Sequence, residues 1–129
     1  MEVSSMSIVK AYLEKADERL KAAEKLLNDG YYEDAISRAY YAMYHAAKAA
    51  LATVNVFPKT HEGVITEFGK NFVLTRIFAK NLGKDLADAK AARETYEYSV
   101  TTTAERSEAE AILSNAKKFV GDVKEYLQK

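Results

Sequence analysis

Apolar residues recur along this chain at spacings of three and four, never in sustained alternation, so the pattern predicts helices and no strands. From about Ser7 to Asn28 the stripe is Val9, Leu13, Ala16, Leu20, Ala23 and Leu27, and Asn28-Asp29-Gly30 supplies its stop. A second stripe opens near Glu33 and runs to about Val54 through Ile36, Ala39, Tyr40, Met43, Ala47 and Ala50. Its flank of Ala35, Ala42, Ala46 and Ala49 is small enough for another helix, in this chain or in a second copy, to approach closely. Thr60 is placed to cap a short helix that buries Val64, Ile65, Phe68 and Phe72, with Leu74, Ile77 and Phe78 extending it after a break. Gly83 marks a turn, Leu86, Ala89, Arg93, Tyr96 and Val100 follow helical spacing, and Thr102-x-x-Glu105 reads as a capping box. The last helix carries Ala109, Ile112, Ala116, Phe119, Val120, Val123 and Leu127.

The fold expected is therefore all-α, an up-and-down bundle of four long helices plus one short helix, with residues 1–129 forming one domain. Composition supports this. Hydrophobic residues make up 48% of 129, enough for a core without metal or disulfide support. The absence of cysteine excludes thiolate nucleophiles and thiolate-held metals. Two histidines are too few for a His-rich metal centre, so neither metal nor cofactor is expected. Met1-Glu2-Val3-Ser4-Ser5 does not start a targeting signal and no apolar run is long enough to span a bilayer, so the expected location is cytoplasmic, with no membrane contact. Nineteen basic and nineteen acidic residues cancel, so contact with a nucleic acid has to be local.

One face of the second helix offers such a locality. At about 100° per residue, Asp34, Arg38, Tyr41, His45 and Lys48 share the side opposite Ile36, Met43 and Ala47. The ordinary reading of such a stripe is the solvated face of an amphipathic helix, with Asp34 and Arg38 paired one turn apart. The functional reading gives Arg38 a phosphate to hold, His45 a proton to move and Tyr41 a base to stack. Lys59-Thr60-His61 is a second candidate, because a helix start offers free N–H groups to an anion and a lysine adds charge, although a simple cap explains it too. Glycine-rich phosphate loops, His-Glu-x-x-His and Gly-x-Ser-x-Gly are all missing from the sequence.

The run Tyr31-Tyr32-Glu33-Asp34-Ala35-Ile36-Ser37-Arg38-Ala39-Tyr40-Tyr41-Ala42-Met43-Tyr44-His45-Ala46-Ala47-Lys48-Ala49 resembles the signature helix of the HEPN family (higher eukaryotes and prokaryotes nucleotide-binding), in its small stand-alone prokaryotic branch. Pro58 to Val64, Phe68 to Val73, and Arg93-Glu94 with Tyr98 resemble the family's later blocks in the same order. The resemblance implies a helical bundle, usually a homodimer, acting on a nucleotide or RNA and often paired with a minimal nucleotidyltransferase in a toxin–antitoxin system. It adds Arg93 and Tyr98 to Asp34, Arg38, Tyr41, Lys59, Thr60 and His61 as phosphate- or nucleotide-binding candidates. Catalytic members are metal-independent ribonucleases whose arginine and histidine are separated by four to six residues, and Arg38 and His45 fit with six between them. Ala39 stands where active members usually carry a polar residue, and the motif usually lies on a later helix. Two functions are therefore expected: a nucleotide- or partner-binding module, or a ribonuclease using Arg38 and His45.

Overall fold

The structure is a computed structural model and describes residues 5–128, so Met1 to Ser4, read above for targeting features, lie outside it. It contains α1 (Ser5–Asn28), α2 (Tyr32–Thr53), α3 (His61–Phe68), which continues as a π-helical turn over Gly69–Val73, α4 (Lys80–Tyr98) and α5 (Arg106–Leu127). Among the described residues there is no strand, and no helix is long and apolar enough to cross a membrane. The expected four long helices and one short one are all present.

α2 is the axis of the bundle and packs against α1, α3, α4 and α5. Burial surrounds it: Ile36, Ala39, Tyr40, Met43 and Ala47 are fully buried, and so are the flanking Ala42, Ala46 and Ala49. The alanine flank is thus covered within the chain, and the close approach it permits is by the chain's own helices. α1 stops as the sequence suggests. Gly30 adopts φ +87°, a conformation that a side chain would resist, and Tyr31 N–H donates to the Leu26 carbonyl at 2.8 Å. Aromatic rings of the same core join α3 to α5, with Phe68 5.1 Å from Phe119 and 5.7 Å from Phe78 between ring centroids.

Four local expectations are corrected. Gly83 is not a turn, because α4 begins at Lys80 and runs through it. A Cβ there would stand 3.2 Å from Val73 Cγ2, so the glycine reports close packing of α4 on the π turn. Val100 is not on the buried stripe of α4: the helix ends at Tyr98, and Val100 is 99% exposed. The Thr102–Glu105 capping box does not form either. Glu105 is itself the N-cap of α5 and makes no side-chain cap, while Thr102 N–H donates to Ser99 Oγ. The connector is held instead from α2, whose Glu33 carboxylate accepts from Ala104 N–H at 3.2 Å. Leu74 and Ile77 are exposed, because the chain turns away at Arg76 (φ +64°) and only Phe78 returns to the core. On α5, Leu113 is buried beside the expected residues, while Ile112 and Leu127 are half-buried.

Candidate functional site

The solvent-facing stripe of α2 becomes a site through what α1, α3 and α4 lay against it. Thr60 caps α3 as expected, its hydroxyl accepting from Gly63 N–H at 2.9 Å, and this fixes His61 at the first helical position. There the His61 ring stacks on Tyr44 with centroids 4.3 Å apart, and Nδ1 lies 2.7 Å from the hydroxyl of Tyr40. Burial pushes the Tyr40 phenol well above its usual range, with the neighbouring Tyr44 reinforcing it, so the hydroxyl stays protonated and can donate to Nδ1. Burial, then the positive charges of Arg93, Lys90 and Lys48, hold His61 below its ordinary value.

His45 lies on the other side of Tyr44, with ring centroids 5.5 Å apart, and stacks against Tyr12 of α1 at 6.3 Å. Its Nδ1 is buried and makes no hydrogen bond among the described residues. Desolvation, followed by repulsion from Arg19, Lys48 and Lys15, lowers its pKa to about 4, so the imidazole is neutral at physiological pH. The Lys48 ammonium sits 5.1 Å from the Tyr12 ring centre and 5.3 Å from that of Tyr44. Both histidines of the chain and four of its tyrosines therefore meet in one cluster.

Arg38 lies toward the other end of the stripe, about 10 Å along the helix axis from His45 at 1.5 Å per residue. It lines a cleft of about 420 Å³ together with Asp34, Ser37, Tyr41, Leu26 of α1, and Arg93 and Glu97 of α4. The Arg93 guanidinium lies 5.3 Å from the Tyr41 ring centre and 5.6 Å from that of Tyr40, and pairs with Glu97. Arg93 Nε is buried without a hydrogen-bond partner among the described residues. The pairing of Asp34 with Arg38 allowed by their spacing does not form, and Arg38 is exposed and makes no ion pair among the described residues.

The structure thus brings Asp34, Arg38, Tyr41 and Arg93 to one cleft and joins His45 and His61 to it through the tyrosines. His45 does not line that cleft. The Thr60 hydroxyl is occupied by its cap, Lys59 projects into solvent, and Tyr98 is 77% exposed at the end of α4 with no ring contact to the cluster. Sequence reasoning missed Tyr12, Lys15 and Arg19, although their spacing on α1 was a usable signal, and Tyr44, which looks like a core residue from spacing alone.

The chain is an all-α bundle that gathers cations and aromatic rings on one face of α2, and no group of side chains that could hold a metal ion is present among the described residues. Residues 9–126 match the HEPN domain, and the chain belongs to the HEPN family. It is 35% identical over 127 residues to "Putative toxin MJ0142" of Methanocaldococcus jannaschii, covering 98% of this chain and 86% of that one. "Putative toxin MJ0605" of the same organism is 38% identical over 120 residues, with 93% and 89% covered. "UPF0332 protein glr0978" of Gloeobacter violaceus is 26% identical over 116 residues, with 89% and 92% covered.

Proposed function

We propose that this chain is a toxin-like HEPN protein whose α2 face binds the phosphate of a nucleotide or RNA, working with a minimal nucleotidyltransferase as its partner. One observation carries the reading: the unpaired guanidinium of Arg38 and the partly unsatisfied one of Arg93 open on the same cleft, with the Tyr41 ring against Arg93. A guanidinium offers paired donors to phosphate and an aromatic ring offers a face to a base. The two relatives whose names call them toxins, and the pairing usual in the family, support the toxin-like assignment and the partner. Titration calorimetry with AMP tests the cleft. Arg38→Gln is expected to weaken binding at least tenfold, since hydrogen bonds to charged groups are worth about 1.5–3 kcal/mol; equal affinity in the variant refutes it.

A second reading, a metal-independent ribonuclease, is favoured by the neutral imidazole of His45 near the same stripe. In that chemistry the ribose 2′-oxygen attacks phosphorus and the bond to the 5′-oxygen breaks. His45 accepts the 2′-hydroxyl proton or protonates the leaving 5′-oxygen, water makes the other transfer, and Arg38 stabilises charge on the phosphorane. Wild type would then cleave mixed-sequence RNA in chelator, while folded His45→Ala and Arg38→Ala would each lose activity by a factor of about a hundred or more. If His45 is the base, the acid limb of the rate profile falls near its pKa of about 4. RNA left intact by the wild type removes this reading without touching the binding one.

A further inference from the structure

The outward face of α1 runs beside the α2 stripe. Tyr12, Lys15 and Arg19 follow one another at spacings of three and four and share one side of the helix, and Ala22 and Leu26 continue it. Leu26 borders the Arg38 cleft, while Tyr12 stacks on His45 and lies under Lys48, so the two helices run in opposite directions and their faces join along their length. Cations and rings alternate along this strip from Lys48 and Tyr12, past Lys15 and His45, to Arg19, Tyr41 and Arg38.

The strip gathers cations that no acid pairs. Lys15, Arg19, Arg38 and Lys48 make no ion pair among the described residues. Lys10, Lys21, Lys59, Lys70, Arg76 and Lys80 make none there either, so what distinguishes the strip is that four such cations lie together on two adjoining helices with aromatic rings between them. Beyond Asp34, α2 carries no acid to its end at Thr53. On α1, Asp17 turns to Lys124 at 3.0 Å, Glu14 faces the groove beside Leu127, and Glu18 stands at the strip's edge. Unpaired cations held close together are costly for the protein alone and favourable once an anion arrives.

We propose that this α1–α2 face binds single-stranded nucleic acid over several nucleotides, with Lys15, Arg19 and Lys48 on successive phosphates and Tyr12 and Tyr41 stacking bases. The proposal rests on the phosphate-binding reading of Arg38 and extends it from one nucleotide to a strand. From Arg38 to Lys48, α2 alone covers about 15 Å. A duplex hides its bases from such rings, while an unpaired strand presents them, and cations tracking the backbone beside aromatic platforms are how strands are held. A second copy of the same face is disfavoured as the occupant, because like charges would meet.

The test is fluorescence anisotropy with a fluorescein-labelled 12-nucleotide RNA, methylated at every 2′-oxygen so that cleavage through that oxygen cannot erase the signal. Binding is followed over a potassium chloride series, with AMP titrated in parallel and circular dichroism confirming the fold of each variant. Lys15→Gln with Arg19→Gln is expected to weaken the 12-mer at least tenfold and to flatten the log–log salt slope by about 0.7 per lost cation. Tyr12→Leu keeps apolar bulk against α2, so about tenfold weaker binding at an unchanged slope isolates the lost stacking. AMP affinity stays the same in both variants. Unchanged 12-mer affinity and slope in Lys15→Gln/Arg19→Gln overturns the inference while AMP binding keeps the Arg38 reading alive. Binding of neither AMP nor 12-mer by the wild type overturns both. Altered sedimentation with unaltered 12-mer binding also overturns it and assigns the face to contact between copies.

Discussion

At His45, burial and charge act in the same direction, and both oppose the imidazolium. The ordinary value of 6.5 falls to about 4 in the folded chain. Between those values the unfolded chain takes up a proton that the folded chain refuses, so acidification over this window favours unfolding. Above 6.5 neither state is protonated and this group adds no pH dependence. His61, lowered for related reasons, contributes with the same sign. The urea midpoint of the wild type is therefore expected to fall more between pH 7 and pH 5 than that of His45→Gln; parallel curves would contradict the assignment. Sequence spacing alone put His45 on the stripe with Arg38. It could not show that α1 brings Arg19 and Lys15 close enough to hold the ring neutral, since that contact joins helices rather than turns of one helix. The bond from Tyr40 to His61 was equally hidden, because it depends on the angle at which α3 docks.

Helices were legible wherever a stripe of apolar residues decided them. α2, with thirteen buried residues, could hardly be anything else. The signals that misled were the local ones. Gly83 was read as punctuation, but it is there to let Val73 in, and a glycine needed for room looks identical in sequence to one needed for a turn. Thr102 and Glu105 had the spacing of a cap, yet Glu33 of α2 already holds the connector from outside. Thr60 was legible because nothing tertiary competes for its hydroxyl. That cap also limits its neighbour: a Cβ at Gly63 would come 2.9 Å from Thr60 Oγ1 and 3.2 Å from Pro58 Cβ. Thr60→Ala removes the cap without touching Gly63, so it should cost about 1 kcal/mol in urea unfolding, the usual worth of an N-cap, and should loosen His61 from Tyr44. An unchanged midpoint would mean that the cap adds nothing to stability.

For the whole molecule, zero net charge excluded a global basic field, and the structure shows that cancellation need not be local. Six acids pair with a base one turn away among the described residues, and two of these pairs, Asp88 with Lys84 and Asp122 with Lys118, lie far along the chain from α2. What the sequence could not reveal was the joining of α1 to the stripe, because the register between two helices is set by packing. The bundle is also unevenly anchored. α4 buries only Leu82, Leu86 and Ala89 over nineteen residues, against thirteen for α2, and it is the helix that carries Arg93. Amide hydrogen exchange should accordingly find α4 opening at lower free energy than α2, with protection lower by at least a hundredfold; equal protection would show that the bundle opens only as a whole. Such opening would make Arg93 a latch. With α4 released, the ring faces of Tyr40 and Tyr41 lose their guanidinium cover while α1 keeps its packing on α2. Ligand traffic at the cleft would then be timed by how often one lightly held helix lets go.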